Sequence, residues 1–292
     1  DVSFTVEKGE TLGVVGESGC GKSTMGRTII HLQDATDGQI FLNGEDITRV
    51  RGRELRRIRE KMQIVFQDPY SSLNPRFRVE ETIREPLKHS GRFGDRAALN
   101  EETNRLMELV GIDERLRQSY PHELDGGRRQ RVGIARALAL NPEFVVCDEP
   151  VSALDVSIQA QVLNLLMELQ EKTQTAYMFV THDLSVVRYI SNHICVMYLG
   201  QLVEKAPTEA LFRETLHPYT KALLSAIPSI DIDHPMKRVM LKGEITSPIN
   251  PAPGCRFAAR CPYASARCRE QQTLREAAKD HYVACCRMEE IN

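Results

Sequence analysis

One octapeptide constrains this 292-residue chain more than any other feature: Gly16-Glu17-Ser18-Gly19-Cys20-Gly21-Lys22-Ser23. It has the form G-x-x-x-x-G-K-[ST], and it lies between a short apolar run, Thr11–Val15, and a stretch with helical character, Ser23–Leu32. Glycines let backbone N–H groups curl around phosphate oxygens without Cβ clashes. The helix that follows points its positive end at the same place. The lysine supplies a point charge for the outer phosphates, and the serine a hydroxyl for Mg²⁺. A strand, this loop and a helix form the start of a parallel α/β sheet.

The rest of the chain supports that architecture. Apolar runs at Gln39–Leu42, Met62–Phe66, Phe144–Cys147 and Ala176–Thr181 read as strands, and Val2–Val6 alternates as an additional one. Glu7-Lys8-Gly9-Glu10 reads as a turn. Arg53–Lys61 and Val156–Lys172 read as helices, the latter from Val162, Leu165, Leu166 and Leu169 at helical spacing. Ile194–Tyr198 and Gln201–Lys205 flank Gly200 as a hairpin. A block from about Glu80 to Leu140 is mostly helical and interrupts the alternation, which predicts a separate subdomain. Beyond Pro207, prolines at 218, 228, 235, 248, 251, 253 and 262 cut the chain into short pieces. The expectation is one α/β domain over 1–205, with a helical subdomain at about 70–140, and a small irregular C-terminal domain over 206–292.

A second acidic element complements the loop. Phe144-Val145-Val146-Cys147-Asp148-Glu149 is an apolar strand that ends in two carboxylates. Asp148 at the strand end suits Mg²⁺, and Glu149, one residue on, suits polarisation of an attacking water. A net charge of −2 argues against broad nucleic-acid binding. No apolar run approaches the ~20 residues that span a bilayer. No basic-then-apolar leader opens the chain, so a cytosolic location is expected.

Four further segments carry a resemblance to ABC-transporter ATPases. Gln67, in Phe66-Gln67-Asp68-Pro69, matches the family's Q-loop glutamine. Leu124-Asp125-Gly126-Gly127-Arg128-Arg129-Gln130-Arg131 resembles the LSGGQ signature and the basic stretch after it. Ser152-Ala153-Leu154-Asp155 resembles the D-loop, and His182, in Val180-Thr181-His182-Asp183, resembles the switch histidine. All six motifs stand in the family's order across residues 1–205.

The resemblance implies a P-loop NTPase fold of the ABC ATPase type with a helical signature subdomain. It implies ATP and Mg²⁺ as ligands. Gly16, Ser18, Gly19, Cys20, Gly21, Lys22, Ser23 and Thr24 would hold the phosphates; Ser23, Gln67 and Asp148 would serve the metal. Glu149 would act as general base, His182 would contact the γ-phosphate, and Gln67 would sense metal and water. Two such chains would meet head to tail, so that Asp125, Gly126 and Gly127 of one complete the nucleotide site of the other. The family also stacks an upstream aromatic residue on adenine, expected in a stretch preceding Asp1.

The signature departs from the family: Asp125 stands where a serine is usual. Asp and Ser are comparable N-caps, so the change is neutral if Asp125 only caps a helix that starts at Gly126. If it faces the partner's γ-phosphate, a carboxylate about 4 Å away costs about 4 kcal/mol at an effective dielectric of about 20. That is about a thousandfold in rate. Arg128, Arg129 and the helix dipole would offset part of it.

His217-Pro218-Tyr219-Thr220-Lys221-Ala222-Leu223-Leu224 resembles a segment of the dipeptide, oligopeptide and nickel importer branch. Ser247-Pro248 through Gly254-Cys255 continues the resemblance, as do Cys261-Pro262, Cys268 and Cys285. It implies import of short peptides or a related solute, with two transmembrane permeases, a second ATPase subunit (a sister chain is favoured by the altered signature) and an extracytoplasmic solute-binding protein as partners. The chain would sit peripherally at the cytoplasmic face of the membrane. Ser71–Arg76 would lie where a permease docks. Five of the eight cysteines, Cys255, Cys261, Cys268, Cys285 and Cys286, crowd into the last 40 residues. Some members of the branch carry a 4Fe-4S cluster here. The spacing C-x5-C-x6-C-x16-C suits four thiolates on such a cluster or on Zn²⁺, or a set of free cysteines. Two other functions stay open: a weakly catalytic regulatory subunit of a heterodimer, and an ABC ATPase that acts outside transport.

Overall fold

A computed structural model describes residues 2–227, 239–241, 243, 251 and 253–291. In chain order its elements are β1 (Thr11–Val15), α1 (Lys22–Ile29), β2 (Phe41–Leu42), β3 (Glu45–Asp46), α2 (Gly52–Lys61), β4 (Met62–Val65) and α3 (Pro69–Ser72). The helical block follows as α4 (Val79–Ser90), α5 (Arg96–Leu109) and α6 (Gly126–Leu138). Then come β5 (Phe144–Asp148), α7 (Val156–Thr173), β6 (Ala176–Thr181), α8 (Leu184–Ile190), β7 (His193–Tyr198) and β8 (Gln201–Pro207). The last elements are α9 (Thr208–Arg213), α10 (Pro218–Ser225), β9 (Arg275–Ala278), β10 (His281–Val283) and α11 (Met288–Ile291).

The chain forms two compact units. One joins Val6–Glu10 to Ser23–Met178. In it β4 runs parallel to β5, with Met62 opposite Phe144 and Val65 opposite Cys147. Both strands are flanked by helices, and β5 is buried along its whole length, as a parallel strand covered on both faces must be. The helical block centres on α6, whose Val132, Ile134, Ala135 and Leu138 are buried. Local chemistry sets the helix ends. Asp68, Asp95 and Asp125 each accept a backbone N–H of the first turn of α3, α5 and α6, which satisfies donors a helix start otherwise leaves open.

The other unit comprises Asp1–Thr5, Thr11–Lys22 and Phe179–Asn292. Here β1 is parallel to β7, and β7, β8, β10 and β9 continue in antiparallel order. The β7–β8 hairpin turns at Leu199 and Gly200, both at positive φ (44° and 78°). That pair of left-handed residues is what a two-residue turn matched to strand twist requires.

Two expectations fail. Val2–Val6 alternates in exposure but belongs to no strand among the described residues; alternation assigns faces, whereas a strand also needs a neighbour for its N–H and C=O groups. The stretch after 205 is more regular than its prolines suggest, since β10 pairs with β8 through Tyr282 opposite Lys205. Ser247-Pro248 lies outside the described residues.

Candidate nucleotide site

The phosphate loop leaves β1 and folds back on itself. Lys22 is buried, and its Nζ donates to the carbonyls of Gly16 (2.7 Å) and Glu17 (3.1 Å). The ammonium is thereby held inside the loop's curve, where it needs no side-chain anion. The Cys20 N–H donates to the Glu17 carbonyl at 3.3 Å, closing a turn within the loop. The Cys20 side chain is buried, and burial pushes its thiol above the usual range despite the nearby Lys22 charge. It packs as a small apolar group, so only its backbone can serve a ligand. At Gly16, φ is 154° and a Cβ would stand 2.2 Å from the Met197 carbonyl oxygen. Backbone cannot yield to that clash. Gly16→Ala is therefore expected to distort the loop and weaken nucleotide affinity at least tenfold, read by titration with a fluorescent ATP analogue.

Lys22 opens α1, and Ser23 follows in its first turn. The Ser23 hydroxyl donates to Asp148 Oδ1 at 2.6 Å. Asp148 is buried, and its other oxygen faces the Arg27 guanidinium at 3.4 Å. A hydroxyl and a carboxylate, both hard oxygen donors, stand side by side. That is the partial ligand set Mg²⁺ takes from proteins when phosphates and waters fill its octahedron. The residues fit the metal and the nucleotide that the loop suggests.

The β4–β5 register explains the next contact. Val65 lies opposite Cys147, so Gln67 and Glu149 leave the same end of two parallel strands. Gln67 Nε2 donates to Glu149 Oε2 at 2.9 Å, although 82 residues separate them. Glu149 has φ 47°. A non-glycine residue in that region costs about 1–2 kcal/mol, strain that tends to collect at functional turns. His182 follows β6 and is exposed; Asp183 caps α8 by accepting the Ser185 N–H.

Asp125 is the N-cap of α6. Its Oδ1 accepts the Arg128 N–H at 2.7 Å, and its Oδ2 pairs with the Arg128 guanidinium at 3.2 Å. Gly127 is required by packing: a Cβ there would lie 2.6 Å from Ile158 Cγ2. Arg129 corrects the sequence expectation. It is buried, its Nε donates to the carbonyls of Pro121 (2.8 Å) and Leu124 (2.9 Å), and its guanidinium lies over the Tyr70 ring. It cannot also offset the Asp125 charge at a ligand. Two turns on, Arg136 Nη1 donates to the Ser72 carbonyl. The segment after Gln67 is thus tied to α6 at two points, which no sequence spacing indicated.

The C-terminal cysteines do not form a metal site as placed. Among the described residues, no three His, Cys, Asp or Glu side chains are positioned to hold one ion. Cys255, Cys261, Cys268, Cys285 and Cys286 do line one cavity, of about 10 Å³, which is room for about one water. Cys268 Sγ and Cys286 Sγ are 3.9 Å apart. Burial pushes the Cys255 thiol up to about 11. Cys255, Cys261, Cys268 and Cys285 are thus gathered around one cavity without forming an ion-binding group among the described residues.

Comparison with known proteins gives the family. The family described as "ABC transporter" matches residues 1–152, and "Oligopeptide/dipeptide transporter, C-terminal region" matches residues 203–268. The chain belongs to the ABC transporter ATP-binding family, and it is an ATPase. It is 52% identical to the oligopeptide transport ATP-binding protein AppF of Bacillus subtilis, over 97% of this chain and 87% of that protein. It is 51% identical to a probable peptide ABC transporter ATP-binding protein of Sinorhizobium fredii, over 93% and 76%. Among solved structures, CbiO1 of Clostridium perfringens, part of the CbiONQ transporter complex, superposes with a TM-score of 0.66 at 25% identity, over 73% of this chain and 83% of that one. The dimeric cassette MJ0796 with ADP and Pi gives 0.65 at 30% identity, over 71% and 89%. No helix among the described residues is long and apolar enough to cross a membrane.

Proposed function

We propose that this chain hydrolyses ATP to power uptake of short peptides through a membrane permease, bound peripherally at the permease's cytoplasmic side. The observation that carries the solute class is the C-terminal match at residues 203–268, joined to relatives named for peptide transport. Gly16, Ser18, Gly19, Cys20, Gly21, Lys22, Ser23 and Thr24 hold the triphosphate, chiefly through backbone N–H groups and the Lys22 charge. Ser23 and Asp148, with Gln67, hold Mg²⁺, which supplies charge neutralisation on the phosphate oxygens. Gln67 orients Glu149, whose carboxylate takes a proton from the water attacking the γ-phosphorus as the bond to the bridging oxygen breaks. His182 contacts the γ-phosphate.

Two ATPase chains close head to tail over two nucleotides, with Asp125, Gly126 and Gly127 facing the partner's phosphates. The solved dimer of a 30%-identical cassette supports that arrangement. Asp125 favours a sister chain as partner: its carboxylate would face the partner's γ-phosphate in place of a serine, and its pairing with Arg128 is half-exposed and offsets only part of its charge. Asp125→Ser is expected to raise steady-state turnover of the reconstituted pair about tenfold or more. Unchanged turnover would leave Asp125 as a helix cap alone.

A 4Fe-4S or Zn²⁺ centre on Cys255, Cys261, Cys268 and Cys285 is a separate expectation, supported by the five sulfurs around one cavity. It carries no step in ATP turnover, and iron and zinc content of freshly purified protein tests it.

The function is tested by purifying the tagged Glu149→Gln chain with ATP and mild detergent from its native cell. Two permeases and a second ATPase should accompany it. Recovery of ribosomes or DNA-repair proteins in their place would overturn the transport reading and leave the ATPase chemistry intact.

A further inference from the structure

The phosphate loop is held from outside by residues of the C-terminal segment, and none of them belongs to a nucleotide-binding motif. The Glu17 carboxylate meets the Arg260 guanidinium through two bonds, at 2.7 and 3.1 Å, across 243 residues of sequence. The Arg260 side chain is 9% exposed and that of Glu17 24%, so water screens the pair weakly. The Glu17 N–H donates to the Tyr219 hydroxyl oxygen at 2.8 Å. With its N–H and its carboxylate both engaged, the second residue of the loop cannot rotate freely.

A parallel contact acts through the β7–β8 turn. Arg256 Nη1 donates to the Leu199 carbonyl, and the Gly200 N–H donates to the Cys20 carbonyl at 2.8 Å. Arg256 and Arg260 sit in a run of tight turns, bounded by Cys255 and Cys261, in which Ala258, Arg260 and Cys261 each donate a backbone N–H three residues back. The Cys255 N–H in turn donates to the Cys268 carbonyl. Phe257, between the two arginines, is buried edge-on against Tyr198, 5.2 Å between ring centres, and Tyr198 lies 4.8 Å from Tyr219. A packed aromatic group thus fixes where both arginines and the tyrosine stand relative to the loop. Ring packing of this kind resists small displacements.

We propose that Arg260 and Tyr219, with Arg256 behind the hairpin turn, are positioning residues for nucleotide binding: the Cys255–Cys261 segment braces the phosphate loop through Glu17 and Cys20. The proposal rests on the reading of Gly16–Ser23 as the ATP phosphate site. It gives the C-terminal segment a role in the ATP reaction itself, whatever solute the transporter carries. Rearrangement of the cysteine-lined segment would reach the loop through two arginines next to Cys255 and Cys261 in sequence.

The test is a double-mutant cycle on the full chain with Arg260→Gln, Glu17→Gln and both together, plus Tyr219→Phe and Arg260→Lys. Affinity for MgATP is read with a fluorescent analogue, KM and kcat by phosphate release from the reconstituted complex, and folding by thermal unfolding without nucleotide. Each single change of the pair should weaken MgATP binding about tenfold. KM should rise with kcat nearly kept, and the double variant should be no worse than either single one. Arg260→Lys should recover part of the affinity. If Arg260→Gln fails to fold, Glu17→Gln decides alone, being the more exposed partner. Wild-type affinity in a folded Glu17→Gln or Arg260→Gln chain would overturn the brace, as would additive losses in the double variant. Failure of the wild-type chain itself to bind MgATP would sink the phosphate-site reading instead.

Discussion

Replacing Glu149 by Gln is expected to slow ATP turnover about 10²- to 10⁴-fold, the span a positioned general base contributes, with nucleotide affinity nearly unchanged. The substitution keeps the shape of the side chain and removes its basicity. Glu149 is half-buried at the end of β5, is held by Gln67 Nε2 at 2.9 Å, and sits at φ 47°. A glutamine can accept the same bond through its amide oxygen, so the local structure should persist. Bound nucleotide should therefore accumulate unhydrolysed, and the closed pair with it. Single-turnover hydrolysis measured beside equilibrium binding separates the two effects. A fall in affinity that matched the fall in rate would assign Glu149 to binding rather than to proton transfer.

Lys22→Ala should fail at both steps. The Lys22 ammonium is the cation enclosed by the phosphate loop, buried against the Gly16 and Glu17 carbonyls. Loss of one such charge-assisted donor costs about 10²- to 10³-fold in rate where charge develops in the transition state. It also removes a phosphate contact from the ground state. Binding and turnover should drop together, which distinguishes this variant from Glu149→Gln in one assay. Lys22→Arg should not rescue, because the planar guanidinium needs more room than the loop's curve gives an ammonium.

The two substitutions also show what was legible in the sequence. The phosphate loop reads directly, because one contiguous backbone curve must supply several N–H groups and a lysine at fixed spacing. Asp148 and Glu149 read only in company with that loop, since an apolar strand with a charged exit is by itself ordinary. Gln67 was found through family resemblance. Its contact with Glu149 depends on the register of β4 on β5, and register is a property of the folded sheet. Arg129 was misread because a basic run looks solvated, whereas here the guanidinium replaces backbone donors for Pro121 and Leu124. The strand Arg275–Ala278 was missed for a simple reason: all four residues are exposed, so no apolar alternation marks it. The Glu17–Arg260 pair lies beyond any local pattern, since a charge pair 243 residues apart leaves no periodic trace.

The central claim is that this chain's own ATP chemistry drives peptide uptake. The most direct measurement is uptake of a labelled short peptide by vesicles that contain the complete transporter, loaded with MgATP, with the chain either wild type or Glu149→Gln. ATP-dependent uptake by the wild type, lost in an equally assembled Glu149→Gln complex, is the result expected. Uptake that continued undiminished through Glu149→Gln, with the complex intact, would contradict the account.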